Sequence, residues 1–258
     1  MSKLHFLSLL GAVTIIAVLA SSTSAQFYTT AVHTPEDWAE LSELPDLNGV
    51  WERGGGGGRG RGRGGGTPLS PTPEYTSIRD TLAERGAEDS ETANCLPPGM
   101  PGIMTQPYPM EFLLTPGKVT IIIEAYTQVR HIYTDGRTLP ENPDTLFFGN
   151  SIGHWEGDTL VVESIGFSEL VQIARNLPHG DNMRIDERFN LTGPDTMTIE
   201  TTITDPDALT APYTTTATLA RHRDWTIAEY ICEENNRNFM DAGGKAGIIL
   251  DNPGGLPR

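Results

Sequence analysis

Apolar and polar residues alternate along much of the chain after Met110. Val119, Ile121 and Ile123 are apolar, and Thr120, Ile122 and Glu124 between them make a mixed face. A period of two turns one side of a strand toward a core and the other toward water. Turn residues interrupt the alternation at short intervals. Segments 110–115 and 118–125 flank Pro116-Gly117, and 129–134 ends at Asp135-Gly136. Segments 151–155 and 159–164 flank Glu156-Gly157-Asp158, and 184–191 and 195–204 flank Gly193-Pro194. A fourth pair, 213–221 and 225–232, flanks Arg223-Asp224. Consecutive hairpins predict a mostly β, antiparallel meander that closes into a barrel or folds over as a sandwich.

The chain before Met110 is organised differently. Lys3 precedes an apolar run over 6–20, and Thr23 and Ala25 stand at the −3 and −1 positions of a small-residue stretch. That order is a secretory signal peptide, expected over 1–25 and cut after Ala25. The run is short for a membrane span, so no stable membrane insertion is expected after cleavage, and the expected location is periplasmic or secreted. Residues 26–45 read as an N-terminal leader with a helix start at Thr34-Pro35-Glu36-Asp37, Thr34 as N-cap and Pro35 as first helical residue. A single β domain is expected over 46–240, interrupted by the Gly/Arg-rich loop 54–66 and a connector over 67–92 with one helix near 77–85. Glycine maximises backbone entropy, so 54–66 is expected to be flexible. The Gly- and Pro-rich tail 241–258 is expected to fray.

Charge narrows the partners. The formal net charge is −16, and loss of Lys3 with the signal peptide takes the mature chain to about −17. Such a polyanion is repelled by nucleic-acid backbones, so the expected partner is a small-molecule ligand or substrate and not nucleic acid. Cys95 and Cys232 are the two cysteines. In an oxidising compartment an even pair most simply forms one disulfide, two free thiols or a redox pair being the alternatives. No CxxC, HExxH, HxH, nucleophile elbow, P-loop or dinucleotide fingerprint is present. No metal site and no cofactor are expected.

Several long motifs stand in order: Cys95-Leu-Pro-Pro-Gly-Met-Pro101, Pro107-Tyr-Pro-Met-Glu-Phe112, Ile132-Tyr-Thr-Asp-Gly-Arg137, Ser151-Ile-Gly-His-Trp-Glu-Gly-Asp-Thr-Leu-Val-Val162, Pro178-His179 and Cys232-Glu-Glu-Asn235. Together they resemble a family of exported bacterial proteins with no assigned activity. The resemblance implies export and a shared fold, and it carries no catalytic residues. Where such proteins often have a second His soon after Pro-His, this chain has Met183-Arg184-Ile185, which weakens any metal model needing two imidazoles. Separately, Gly49-Val50-Trp51 resembles the first-strand Gly-x-Trp of lipocalin-like barrels. The barrel is therefore expected to be lipocalin-like.

Small barrels can hold one ligand inside, and polar residues on otherwise apolar strands are costly unless paired or functional. Arg130, Tyr133, Glu124, Asp135 and Arg137 cluster in sequence as candidate ligand-binding residues. A simple meander places Glu124 opposite Arg130. Asp135 and Arg137 also suit a braced turn. His179, in a loop, and Glu187, on the next strand, are the candidate acid–base pair. Three functions follow: an exported barrel binding a small, partly apolar molecule; an enzyme doing acid–base chemistry on a small organic or sugar-like substrate in the same cavity; or a structural envelope protein.

Overall fold

The structure is a computed structural model that describes residues 33–53, 66–84, 95–232, 238–240 and 246–248. The expected signal peptide 1–25, the start of the leader, and residues 54–65 and 85–94 lie outside the described residues.

Both helices begin where the capping chemistry dictates. Helix α1, Pro35–Leu41, starts at a capping box: Thr34 Oγ1 accepts from Asp37 N, and Asp37 Oδ2 accepts from Thr34 N at 2.7 Å. Helix α2, Pro73–Ala83, starts earlier than 77 because Thr72 caps it and Pro73 fits its first turn.

Nine strands close the expected lipocalin-like barrel. They are β1 (Gly49–Arg53), β2 (Met110–Thr115), β3 (Lys118–Ile123), β4 (Gln128–Tyr133), β5 (Asn150–Glu156), β6 (Thr159–Ile165), β9 (Arg184–Gly193), β10 (Thr196–Thr204) and β11 (Tyr213–His222). Two short pairs stand outside it: β7 (Gln172–Ala174) with β8 (Leu177–Pro178), and β12 (Asn238–Met240) with β13 (Ala246–Ile248). β13 falls in the tail 241–258, whose other residues lie outside the described ones. Around the barrel the order is β1-β11-β10-β9-β6-β5-β4-β3-β2. One seam departs from the meander: β4 and β5 run parallel, in register at Tyr133 and Ile152. The residues between them return the chain to the end where β4 began, as a parallel connection requires.

The fourth hairpin does not form. β11 pairs with β10 on one side and with β1 on the other, Trp51 opposite Arg221. That pairing closes the barrel, so no free edge is left for residues 225–232. They form a strap instead. Trp225 stacks on His222 with centroids 3.6 Å apart, Ala228 N donates to Glu124 Oε2 at 3.0 Å, and Tyr230 O accepts from Thr127 Oγ1 at 2.9 Å. Cys232 then forms the expected disulfide with Cys95, 137 residues away in sequence.

The barrel's two ends differ. Tight turns at 115–118, 156–159 and 193–196 mark the closed end. Gly49, at φ +114°, adopts a conformation that a side chain would oppose and leads into Trp51. Trp51 Nε1 donates to Leu47 O at 2.9 Å, and the Arg221 guanidinium lies 4.5 Å from its ring centroid. Arg221 also donates to the Asp46 carboxylate at 2.9 Å and to the Asp46 carbonyl. Burial alone would raise the Asp46 carboxyl pKa, but the hydrogen bonds from Arg221 and Asn48 outweigh it and hold the group below the usual carboxylate range.

The opposite end carries the longer connections and is covered. Met100, Ile103 and Met104 from one connection, and Phe167, Val171, Ile173 and Leu177 from another, belong to the same buried cluster as the barrel residues Phe112, Ile121 and Phe189. Gly99, at φ +62°, lets the cover approach closely: a Cβ there would stand 2.7 Å from Phe147 O. Met100 N donates to that same carbonyl at 2.9 Å.

Replacing Arg221 with Leu removes the cation–π contact and the ion pair to Asp46, which keeps its hydrogen bonds from Asn48. Because Asp46 is largely exposed, its ion pair adds little, and the expected loss in urea unfolding is about 1–2 kcal/mol with the barrel retained.

Candidate functional site

Strand parity selects the residues that point into the barrel. On β4 the inward positions include Arg130 and Ile132; on β6, Leu160, Val162 and Ser164; on β9, Ile185, Glu187 and Phe189; on β5, Ser151. These four strands are successive neighbours in the barrel. Three polar side chains and one hydroxyl partner therefore meet in an otherwise apolar interior.

Their contacts are direct. Arg130 Nη1 donates to Glu187 Oε1 at 3.1 Å, and Nη2 donates to Glu187 Oε2 and to Ser164 Oγ, the latter at 3.3 Å. Ser164 Oγ and Ser151 Oγ share a hydrogen bond of 2.8 Å. Arg130, Glu187 and Ser164 are 0 % exposed, and Ser151 is 4 % exposed. Arg130 Nε is buried without a hydrogen-bond partner. The group lies toward the covered end, since Arg130, Ser151 and Ser164 are all within two residues of their strands' termini there.

The energetics are those of a buried ion pair. Both ions lose hydration, and the mutual attraction with two good hydrogen bonds offsets that loss only if neither partner is removed. A side chain beside a water-sized void would keep accessible surface. Arg130, Glu187, Phe112, Ile121 and Phe189 keep none, so the interior around the pair is filled in this state.

The other candidate residues stand elsewhere. Glu124 does not face Arg130. It lies past the end of β3, where its carboxylate accepts from Ala228 N of the strap, whereas Arg130 shares the inward parity of Ile132 and is in register with Ile121. Tyr133, Asp135 and Arg137 form a brace at the closed end. Arg137 Nε donates to Asp135 Oδ1 at 2.8 Å, and its guanidinium lies 3.7 Å from the Tyr133 ring centroid. The hydrogen bonds from Arg137 outweigh burial and lower the Asp135 carboxyl. The ligand-binding set is thus split between interior, strap and closed end.

His179 and Glu187 have separate partners. The His179 ring nitrogens contact Gly180 O at 2.6 Å and Ser168 O at 2.8 Å, and Glu187 is held by Arg130. Next to His179, Gly180 N donates to Asp205 Oδ2 at 2.7 Å, and Asp205 also accepts from Asp207 N and Ala208 N. His179 therefore joins the loops of the covered end.

Sequence reasoning did not single out Ser151 and Ser164. The available signal was parity: Ser164 continues the inward series Leu160, Val162 just as Glu187 stands between Ile185 and Phe189. Among the described residues, no three His, Cys, Asp or Glu side chains converge as metal ligands.

A second cluster lies at the strap. The Tyr230 ring is 5.3 Å from both Tyr108 and Tyr126. Burial, with Tyr230 and Tyr108 close by, pushes the Tyr126 phenol up to about 12. Tyr126 and Thr127 are consecutive non-glycine residues at φ +58° and +49°, a conformation that costs energy and needs contacts to hold it.

No protein-family model matches the chain, and no curated protein matches its sequence.

Two expectations follow. Arg130→Met or Glu187→Leu alone costs about 3–5 kcal/mol in denaturant unfolding, while the double variant is neutral or more stable by about 1 kcal/mol. Separately, the raised Tyr126 pKa favours the folded state fully below its ordinary value of 10, and that contribution disappears as pH rises toward about 12. Tyrosinate absorbance should show a last ionising step near that pH, absent in Tyr126→Phe.

Proposed function

We propose that this is an exported β-barrel protein that takes a small, partly apolar molecule beneath the cover, with Arg130, Glu187, Ser164 and Ser151 as the polar groups that meet it. One observation carries the reading: a bidentate ion pair with two hydroxyls sits fully buried among Val, Ile and Phe, where packed apolar residues would serve stability at least as well. Polar groups retained at such a place are a reason to look for a ligand. Because the interior is filled, entry requires the cover to move and interior side chains to yield. The ligand should be mostly apolar, to suit walls such as Phe112 and Ile121, and uncharged, because Glu187 already neutralises Arg130.

Export is supported by the residue order of 1–25 and by a disulfide, which persists in oxidising compartments. No helix among the described residues is long and apolar enough to cross a membrane. The motif resemblance to exported bacterial proteins points the same way.

The filled interior favours a second reading, a structural envelope protein whose ion pair braces the core. Acid–base catalysis has less support, since the His179 nitrogens are engaged by carbonyls and the Glu187 carboxylate by arginine.

Thermal-shift measurements with medium-chain alcohols, amides and hydroxylated terpenoids separate the two. Binding predicts stabilisation by about 2 °C or more for at least one class, lost in Arg130→Met/Glu187→Leu. If no compound in the panel shifts the folded wild-type protein, the structural reading stands instead.

A further inference from the structure

The cover segment 95–109 is tied to the strap at both its ends. Cys95, at its start, is bonded to Cys232. Tyr108, near its finish, packs edge-on against Tyr230, two residues earlier in the strap. Between these ties, Met100, Ile103 and Met104 turn buried side chains into the cluster at the covered end, and Arg53 Nη1 at the end of β1 donates to Thr105 O at 3.1 Å. The strap is anchored in turn to the β3–β4 connection through Glu124 and Thr127.

Three non-glycine residues at these ties hold left-handed backbone: Cys95 at φ +58°, Tyr126 at +58° and Thr127 at +49°. Such residues persist where surrounding contacts over-determine them. Tyr126 packs against Tyr230 of the strap and Thr127 Oγ1 donates to Tyr230 O, beside local bonds from Thr127 N to Glu124 O and from Gln128 Nε2 to Tyr126 O. Cys95 is bonded to Cys232. Both cysteine residues keep partial solvent exposure. None of the four residues that make the ties, Cys95, Tyr108, Tyr230 and Cys232, belongs to a barrel strand.

We infer that the Cys95–Cys232 disulfide is a redox latch on the barrel's cover: its reduction frees segment 95–109 and opens the covered end while the barrel strands stay paired. The step needs a dithiol reductant. One of its thiolates attacks a cysteine sulfur, the protein S–S bond breaks and a mixed disulfide forms. The second thiol of the reductant resolves it. Two electrons pass from the dithiol to the protein disulfide, two protons end on the Cys95 and Cys232 thiols, and the reductant leaves as its own disulfide. The latch would regulate access to the Arg130–Glu187 group, and in that respect it rests on the binding reading above.

The experiment is amide hydrogen exchange on the folded, oxidised protein with and without dithiothreitol, read by peptide. The latch predicts exchange in 96–109 at least about tenfold faster on reduction, with β9 and β10 unchanged. Cys95→Ser/Cys232→Ser should match the reduced protein; if that variant does not fold, reduction of the folded wild type carries the same test. Unchanged exchange in 96–109 overturns the latch, and so does equal acceleration in all strands, which would mean general destabilisation. Nile red, a neutral apolar dye, is added in parallel. Faster exchange with dye uptake supports both latch and binding. Faster exchange without dye uptake supports the latch and counts against a ligand in the interior.

Discussion

Pairing of β1 with β11 is the constraint on which the rest of this fold depends. It joins the residues after Leu47 to a strand about 170 positions later in the chain, and it leaves no barrel edge free. Its register sets Trp51 opposite Arg221, and from that follow the capped closed end and the low-lying Asp46 carboxyl. It also denies residues 225–232 a partner strand. The strap, the tyrosine cluster and the position of Cys232 near Cys95 are consequences of that exclusion.

Closure also decides which polar groups are buried. Once the strands curve into a barrel, every inward position faces the same small volume, and a charged residue of inward parity must find its partner there. Arg130 on β4 and Glu187 on β9 are 57 residues apart in sequence and reach each other across the barrel interior, past the two strands that separate them. The hydroxyls of Ser164 and Ser151 extend the group to β6 and β5. The cover completes the enclosure, with His179 and Asp205 tying its loops by bonds to backbone atoms. The residues with the most evident chemistry in isolation thus serve two purposes: some enclose the interior, and others lie within it.

The strands were legible because alternation and turn residues are local signals. The hairpins around Pro116-Gly117, Gly157 and Gly193-Pro194 form as their residues dictate, as does the capping box at Thr34. The disulfide was legible because two cysteines allow one pairing. What local signals do not carry is the choice among distant edges. Segment 225–232 has a strand-like pattern, but β1 occupies the edge it would need. The parallel β4–β5 seam depends on a connection with no periodicity of its own. Glu124 and Arg130 are close in sequence and were expected to meet, yet Arg130 follows the parity of Ile132 into the core while Glu124 lies beyond the strand end. Applying parity to Ser164 and Glu187 as strictly as to their apolar neighbours would have placed both beside Arg130.

The claim that a dry, bidentate Arg130–Glu187 pair lies beneath the cover is tested most directly by nuclear magnetic resonance of the Arg130 guanidinium. A buried pair predicts distinct, slowly exchanging Nη protons, shifted by the Glu187 carboxylate and lost in Glu187→Gln. Nη protons that average and exchange with water as fast as those of the exposed Arg223 would contradict it, and would put open solvent where the account puts a closed interior.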